Sequence, residues 1–181
     1  MSTRLFLAIP LPWEIKQTIW NIQDQVKQQM PHSRVSWVEP EQFHITLHFL
    51  GDVFEDIEVE LIRRLEEKEW VAPFGLKLAE LTAFPNKKQP NVLCVKTNMH
   101  SGAFGLYKRT GDVVASLGLP IDERSWQPHI TFGRVKVQSE VLKPELVEVL
   151  PLEFLVDRFV LMSSVTYKEG SRYEVMEEFG F

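Results

Sequence analysis

The tripeptide His-Ile-Thr occurs twice in the chain, as His44-Ile45-Thr46 within "QFHITLHFLG" and as His129-Ile130-Thr131 within "QPHITFGRV". Both copies lie in runs whose length and composition suit β-strands. In a strand, residues i and i+2 point to one face, roughly 6.5 to 7 Å apart. Each copy therefore projects an imidazole and a hydroxyl together, once in each half of the chain. The repetition suggests an internal duplication in which each half owns an equivalent strand.

The rest of the sequence fits such halves. "TRLFLAI" reads as a strand, and residues 12 to 29 as an amphipathic helix with Ile15, Ile19, Ile22 and Val26 at helical spacing, ended by Pro31. "FHITLHFL" reads as a strand, after which Gly51-Asp52 opens a second helix through Leu61 and Leu65. "FGLKLAELTAF" and "NVLCVKT" follow as strands joined by the basic turn "PNKKQPN". The second half gives a helix over 101–117, the strand "HITFGRVKV", a short helix around 139–149, and the strands "LEFLVDRFVLMSSVTY" and "RYEVMEEF". This order lacks the doubly wound rhythm of a parallel nucleotide-binding sheet, and neither a G-x-G-x-x-G nor a P-loop is present, so the class is α+β. No composition break marks a linker, and one unit over residues 1–181 is expected.

Several function classes are excluded or disfavoured. No apolar run approaches the ~20 residues of a membrane helix, because "LFLAIPLPW" is interrupted by Pro10 and Pro12. The same segment lacks the pattern of a signal peptide, which makes the cytoplasm the default location. The lone cysteine, Cys94, lies in an apolar strand, where a buried, inert thiol is the expectation, and it permits neither an internal disulfide nor a cysteine metal cluster. A net charge of −5 argues against a protein that coats long nucleic acid, while leaving room for one nucleotide end in a local pocket.

The chemistry of two His-x-Thr pairs follows from their side chains. An imidazole gives or takes a proton near neutral pH, and a hydroxyl donates a hydrogen bond to an oxyanion. If the two strands face one cleft, one histidine can act as base on a nucleophile and the other as acid on the leaving group, with the threonines holding the charge between them. Phosphodiester cleavage has that layout and demands no metal or other cofactor. Arg134 would supply the fixed charge a phosphate wants. Its strand parity is opposite to that of His129, and Gly133 between them is where a bulge could re-aim it.

"VSWVEPEQFHITLHFLG" and "WQPHITFGR" resemble the two signature motifs of the 2H phosphoesterase superfamily, within it most closely those of the RNA 2',3'-cyclic phosphodiesterases, also called 2'-5' RNA ligases. "RLFLAIPLP" and "FVLMSSVTYKEGSRYEVM" resemble the family's opening strand and closing hairpin, so the resemblance spans essentially the whole chain. It implies a bilobal fold: two pseudo-twofold-related antiparallel sheets with outer helices and a central cleft carrying His44, Thr46, His129 and Thr131. It also implies opening of a 2',3'-cyclic phosphate to a 2'-phosphate, with His44 as the acid on O3', His129 as the base on water, Thr46, Thr131 and Arg134 on the phosphate, and Phe49 stacking on a base. Reverse 2'-5' ligation would share the transition state. The implied partners are RNA ends bearing a 2',3'-cyclic phosphate or small cyclic nucleotides, with no membrane and no obligate protein partner.

Phe132-Gly133 departs from the family's more usual aliphatic pair, and His48 stands where a small or apolar residue is expected. His48 shares parity with His44, which would bring it toward the cleft rim, but residues i and i+4 of a strand are about 13 Å apart, too far for a shared metal. A partly exposed or core-satisfied histidine is the simpler account of it. His32 and His100 sit in polar, loop-like settings. Phe49 is as easily core as platform, Arg172 and Tyr173 read as structural parts of the last hairpin, and Lys87 and Lys88 as a solvated turn. Two other activities stay open: a phosphodiesterase acting on a small molecule such as ADP-ribose 1'',2''-cyclic phosphate, and a non-catalytic nucleotide-binding module. A mere binder would have no need for two titratable groups.

Overall fold

The computed structural model describes residues 2–167 and 171–181. Its elements run β1 (Ser2–Pro10), α1 (Trp13–Gln29), β2 (Arg34–Trp37), β3 (His44–Phe54), α2 (Glu55–Glu66), β4 (Phe74–Pro85), β5 (Pro90–Thr97), α3 (Ser101–Ser116), β6 (His129–Val137), β7 (Glu153–Val156), β8 (Arg158–Thr166) and β9 (Ser171–Gly180). The tip of the closing hairpin, residues 168–170, lies outside the described residues.

Among the described residues the strands join in the order β7-β4-β5-β6-β3-β1-β8-β9, with β2 pairing the free part of β6, and every pairing is antiparallel. The two lobes meet at a narrow seam, where β3 pairs β6 only through Ile45 and Ile130, the middle residues of the two tripeptides. An approximate twofold axis passing through that pair relates β3-β1-β8-β9 to β6-β5-β4-β7.

Alternation divides the sheet into two faces. Leu5, Leu7 and Ile9 of β1, with Ile45 and Leu47 of β3, join the apolar sides of the helices in one core, to which Ile15, Ile19, Ile22 and Val26 of α1, Leu61 and Leu65 of α2, and Leu106 and Val114 of α3 all contribute. Phe6 and Ala8 of β1 face the other way and pack with Val160, Met162 and Tyr173. The helices thus cover the outer face, and the inner face is left for the cleft.

Three expectations are corrected. β3 continues through Gly51 and Asp52 to Phe54, because Gly51 takes φ of +72° inside the strand, a conformation that costs glycine nothing; α2 then starts at Glu55 with Glu55, Asp56 and Glu58 on its positive end. Residues 139–149 hold only one 3-10 turn, Pro144–Leu146, since Pro144 cannot sit inside an α-helix. The stretch 152–167 breaks at Asp157 into β7, which pairs β4, and β8, which pairs β1 and β9. The short strand β2 had no sequence signal of its own.

Candidate active site

The seam places the tripeptides side by side. With Ile45 and Ile130 paired and fully buried, the flanking side chains on both strands turn to the inner face, and the antiparallel register sets His44 on the side of Thr131 and His129 on the side of Thr46. All four line one cavity of about 510 Å³, together with Phe49, Arg134 and Tyr173. Each expected site residue therefore lies in one cleft.

Both imidazoles are held in the same way. Nδ1 of His44 lies 2.7 Å from the carbonyl oxygen of Gln42, and Nδ1 of His129 lies 2.7 Å from that of Gln127. A carbonyl only accepts, so both Nδ1 atoms carry the proton, and each neutral ring keeps its Nε2 lone pair for the cleft. The ring of His44 lies against Phe6 and edge-on to Tyr173, at centroid distances of 5.0 and 5.3 Å, and His129 is edge-on to Phe84 at 5.0 Å. These apolar walls raise the cost of an imidazolium. Burial pushes His44 down to about 4, with Lys16, Arg134 and His129 adding smaller repulsions. His129 is lowered as well, first by burial and then by Arg134 and Lys96.

The positions beyond the tripeptides are set by matching irregularities. On β3, Thr46 pairs Ala8 and His48 pairs Leu7, so Leu47 has no partner. On β6, Thr131 pairs Cys94 and Gly133 pairs Leu93, so Phe132 has none. Each bulge inverts the alternation that follows it. Consequently Phe49 and Arg134, both five residues after their histidine, return to the cleft face. This supplies the re-aiming that Arg134 required, and it exposes the Phe49 ring by 63%.

The same bulge turns His48 toward α3, where it is buried yet still lines the edge of the cavity, so it does reach the cleft rim. Its Nε2 lies 2.8 Å from the carbonyl oxygen of Tyr107 and 3.2 Å from Oγ1 of Thr110, both on α3, and its ring stacks on Tyr107. Gly111 lets it come that close, since a β-carbon there would meet His48 Cε1 at 3.1 Å. His48 is thus the core-satisfied histidine of the two readings. His100 caps α3 by accepting from the Gly102 N–H. Lys87 and Lys88 lie in an exposed turn outside the cavity, and the Arg172 guanidinium sits over the Tyr167 ring. Cys94 is buried, its thiol pushed up to about 12 by desolvation.

Three contributors were missed. Tyr173 walls the histidine pair in addition to closing the hairpin. Trp126 lines the cavity and donates from Nε1 to the Thr46 carbonyl at 3.0 Å. Gln23 of α1 is buried and donates from Nε2 to the carbonyls of Val38 and Phe132, at 2.8 and 2.9 Å, and so ties down the bulge that aims Arg134. Its signal was present as a glutamine among Ile19, Ile22 and Val26 on the apolar side of α1. Among the described residues, no group of three or more His, Cys, Asp or Glu side chains is placed to hold a metal ion, and no helix is long and apolar enough to cross a membrane.

Two lobes that each bring a His-x-Thr pair to a shared cleft define the 2H phosphoesterase class. Comparison with known proteins agrees: residues 9–94 match the family model described as LigT like Phosphoesterase. An RNA 2',3'-cyclic phosphodiesterase of Methanocaldococcus jannaschii is 31% identical over 97% of this chain and 99% of its own length, and one of Aquifex aeolicus is 33% identical over 79% and 80%. A crystal structure of a Thermus thermophilus protein superposes with a TM-score of 0.84 at 30% identity, covering 98% of this chain and 97% of that one. Escherichia coli LigT, solved with 3'-AMP, shares the fold at a TM-score of 0.83 and 23% identity over 100% and 99% of the two chains. The chain belongs to the LigT-like phosphoesterase family.

Proposed function

We propose that this protein is an RNA 2',3'-cyclic phosphodiesterase, an enzyme that hydrolyses a terminal 2',3'-cyclic phosphate to a 2'-phosphate. The observation that carries the reading is the symmetric pair of neutral imidazoles, each with Nδ1 tied to a backbone carbonyl and Nε2 free toward one cavity. In the reactive form one of the two rings has taken up a second proton, on Nε2: water attacks phosphorus as the Nε2 of the neutral ring removes its proton, and the P–O3' bond breaks as the Nε2–H of the protonated ring passes its proton to O3'. Thr46, Thr131 and Arg134 hold the non-bridging oxygens, and Phe49 offers its exposed face to the base. With an RNA 5'-hydroxyl in place of water, the same steps form a P–O5' bond as the P–O3' bond breaks and O3' leaves protonated, giving a 2'-5' linkage that can be cleaved by the reverse steps, so 2'-5' ligation is part of the proposal.

The family resemblance makes His44 the acid. The electrostatics of the cleft do not separate the two, since burial and neighbouring cations lower both rings, so the roles are assigned by a leaving-group test. A substrate with a good leaving group, such as a nitrophenyl phosphodiester, needs little acid. It restores activity to whichever histidine-to-alanine variant has lost the acid and leaves the variant without the base impaired.

The reading itself is tested with an oligonucleotide ending in a 2',3'-cyclic phosphate, incubated in excess chelator and analysed by phosphorus NMR. Opening to the 2'-phosphate is expected at an undiminished rate. Failure to open the ring, or activity that returns only with a divalent ion, contradicts the two-histidine mechanism.

A further inference from the structure

Beside the histidine cavity lies a second recess of about 270 Å³ that the mechanism does not use. The two recesses share Phe49, Arg134 and Tyr173, and the second adds Arg4 of β1 and Ser164 of β8. Their placement follows from strand parity. Arg4 lies on the same face as Phe6, whose ring touches those of His44, Phe49 and Tyr173. Arg4 is therefore displaced from Phe6 by one i, i+2 step, roughly 6.5 to 7 Å along the strand and away from the histidines. Ser164 pairs Tyr173 across β8 and β9 and continues the same face as Val160 and Met162.

The chemistry of this recess is that of an anion site. Arg4 is exposed and makes no hydrogen bond or ion pair among the described residues; Asp52, its cross-strand partner on β3, forms none with it. Arg134 presents a second guanidinium to both recesses. Two guanidiniums without an ion-pair partner among the described residues, a hydroxyl and aromatic walls form a cationic track with a stacking platform, in which Arg4 lies two i, i+2 steps along β1 from Ala8, the partner of Thr46; this combination follows a single nucleic-acid strand.

We propose that this recess is an outer subsite for the internucleotide phosphate next to the cyclic end, with Arg4 and Ser164 as its specificity-determining residues. The proposal rests on the cyclic phosphodiesterase reading and deepens it, because such a subsite rewards an RNA strand over a free cyclic mononucleotide. The Phe49 ring lines both recesses, so a base stacked on it with its 3' side toward the histidines has its 5' phosphate toward Arg4.

The test compares kcat/KM for a nucleoside 2',3'-cyclic phosphate with that for a dinucleotide bearing the same cyclic end, and for the same dinucleotide with an uncharged methylphosphonate linkage. The dinucleotide is expected to be preferred by roughly tenfold, the effect of one charge-assisted phosphate contact. Arg4→Gln should abolish most of that preference, Ser164→Ala part of it, and the methylphosphonate should reproduce the Arg4→Gln result in the unmodified enzyme. With a longer oligonucleotide, Arg4→Gln should reduce the slope of log kcat/KM against log salt by about 0.7, the share of one phosphate on a single strand.

Loss of the same factor on mononucleotide and dinucleotide would mean that Arg4 acts structurally and would overturn the subsite. A preference that survives in Arg4→Gln, or in the methylphosphonate, would overturn it too. Turnover of neither substrate by the unmodified enzyme would refute the phosphodiesterase reading itself, a result distinct from turnover of both without preference.

Discussion

Replacing Gln23 by leucine tests whether a buried amide on α1, remote from the cleft in sequence, sets the aim of Arg134. The side chain is 1% exposed, and its Nε2 supplies donors to the carbonyls of Val38 and Phe132. Phe132 O also accepts from the Val38 N–H at 3.0 Å, so after the substitution it keeps one partner, whereas Val38 O loses its side-chain donor. An abandoned buried acceptor costs about 1–3 kcal/mol, and a bond lost from a carbonyl that is still paired about 0.5–1.5 kcal/mol. Leucine fills nearly the same space, so little cavity cost is added. The sum centres on about 3 kcal/mol, which for a chain of this size lowers Tm by roughly 6 to 12 °C.

Stability alone would not distinguish this role from ordinary packing. The distinguishing readout is a double-mutant cycle in kcat/KM between Gln23→Leu and Arg134→Ala on a cyclic-phosphate oligonucleotide, at a temperature where all variants remain folded. If Gln23 works by holding the Phe132 bulge, its effect should largely vanish once Arg134 is gone, a coupling of at least about 1 kcal/mol. As a control, Ile22→Val on the same helix should cost about 0.5–1.5 kcal/mol of stability without such coupling. Additive effects of Gln23→Leu and Arg134→Ala, or a Gln23→Leu enzyme with unchanged Tm, would refute the argument.

Further outcomes follow from the same geometry. His44 and His129 are both lowered, His44 to about 4, so the singly protonated pair lies below pH 6.5 and kcat/KM of the free enzyme should be bell-shaped with its maximum there; a plateau reaching above pH 7.5 would contradict it. The unfolded chain takes up these protons near pH 6.5 and the folded one only lower, so stability should fall as pH drops from about 6.5 toward 4, less steeply in His44→Gln, as read from Tm against pH. Gly133→Ala would press a β-carbon against the Trp37 ring and Val35 at 3.1 Å, and should cost about 1–3 kcal/mol in denaturant unfolding while weakening phosphate binding through Arg134. Trp126→Phe keeps the stack on Tyr107 but removes the donor to the Thr46 carbonyl, and should cost about 0.5–1.5 kcal/mol in kcat/KM, with a smaller effect if Thr46 is already alanine.

Much of this arrangement was legible in the sequence, and the limits have definite causes. The strand period alone put His44 with Thr46 and His129 with Thr131, because both pairs precede any irregularity. It brought His48 to the cavity edge but did not show that its ring is seated on α3, and it left Arg134 and Phe49 undecided, because the bulges at Leu47 and Phe132 shift parity by one. Gly133 hinted at one of them; nothing at His48 hinted at the other. Gln23 was visible as a polar residue on an apolar stripe, but its partners lie 15 and 109 residues away, and only the tertiary fold connects them. The β7–β8 break at Asp157 was hidden because both strands have the same composition and differ only in what they pair with.

The bulges also explain how a near-symmetric scaffold can bind an unsymmetric substrate. Up to Thr46 and Thr131 the two strands are equivalent: the same tripeptide, the same anchoring of Nδ1 to the carbonyl two residues earlier, and the pairing of Ile45 with Ile130 on the approximate axis. After the bulges the equivalence ends. The residue turned to the core is His48, seated on α3 beside Gly111, in one lobe and Gly133, covered by Trp37, in the other. The residue turned to the cleft is a neutral ring, Phe49, in one and a guanidinium, Arg134, in the other. Proton transfer requires two similar groups on opposite sides of phosphorus, whereas a nucleotide end offers a flat base on one side and charged oxygens on the other. A scaffold that is symmetric through its first three residues and asymmetric at the sixth meets both demands, and exchanging Phe49 and Arg134 should therefore impair binding while leaving the two histidine anchors unchanged.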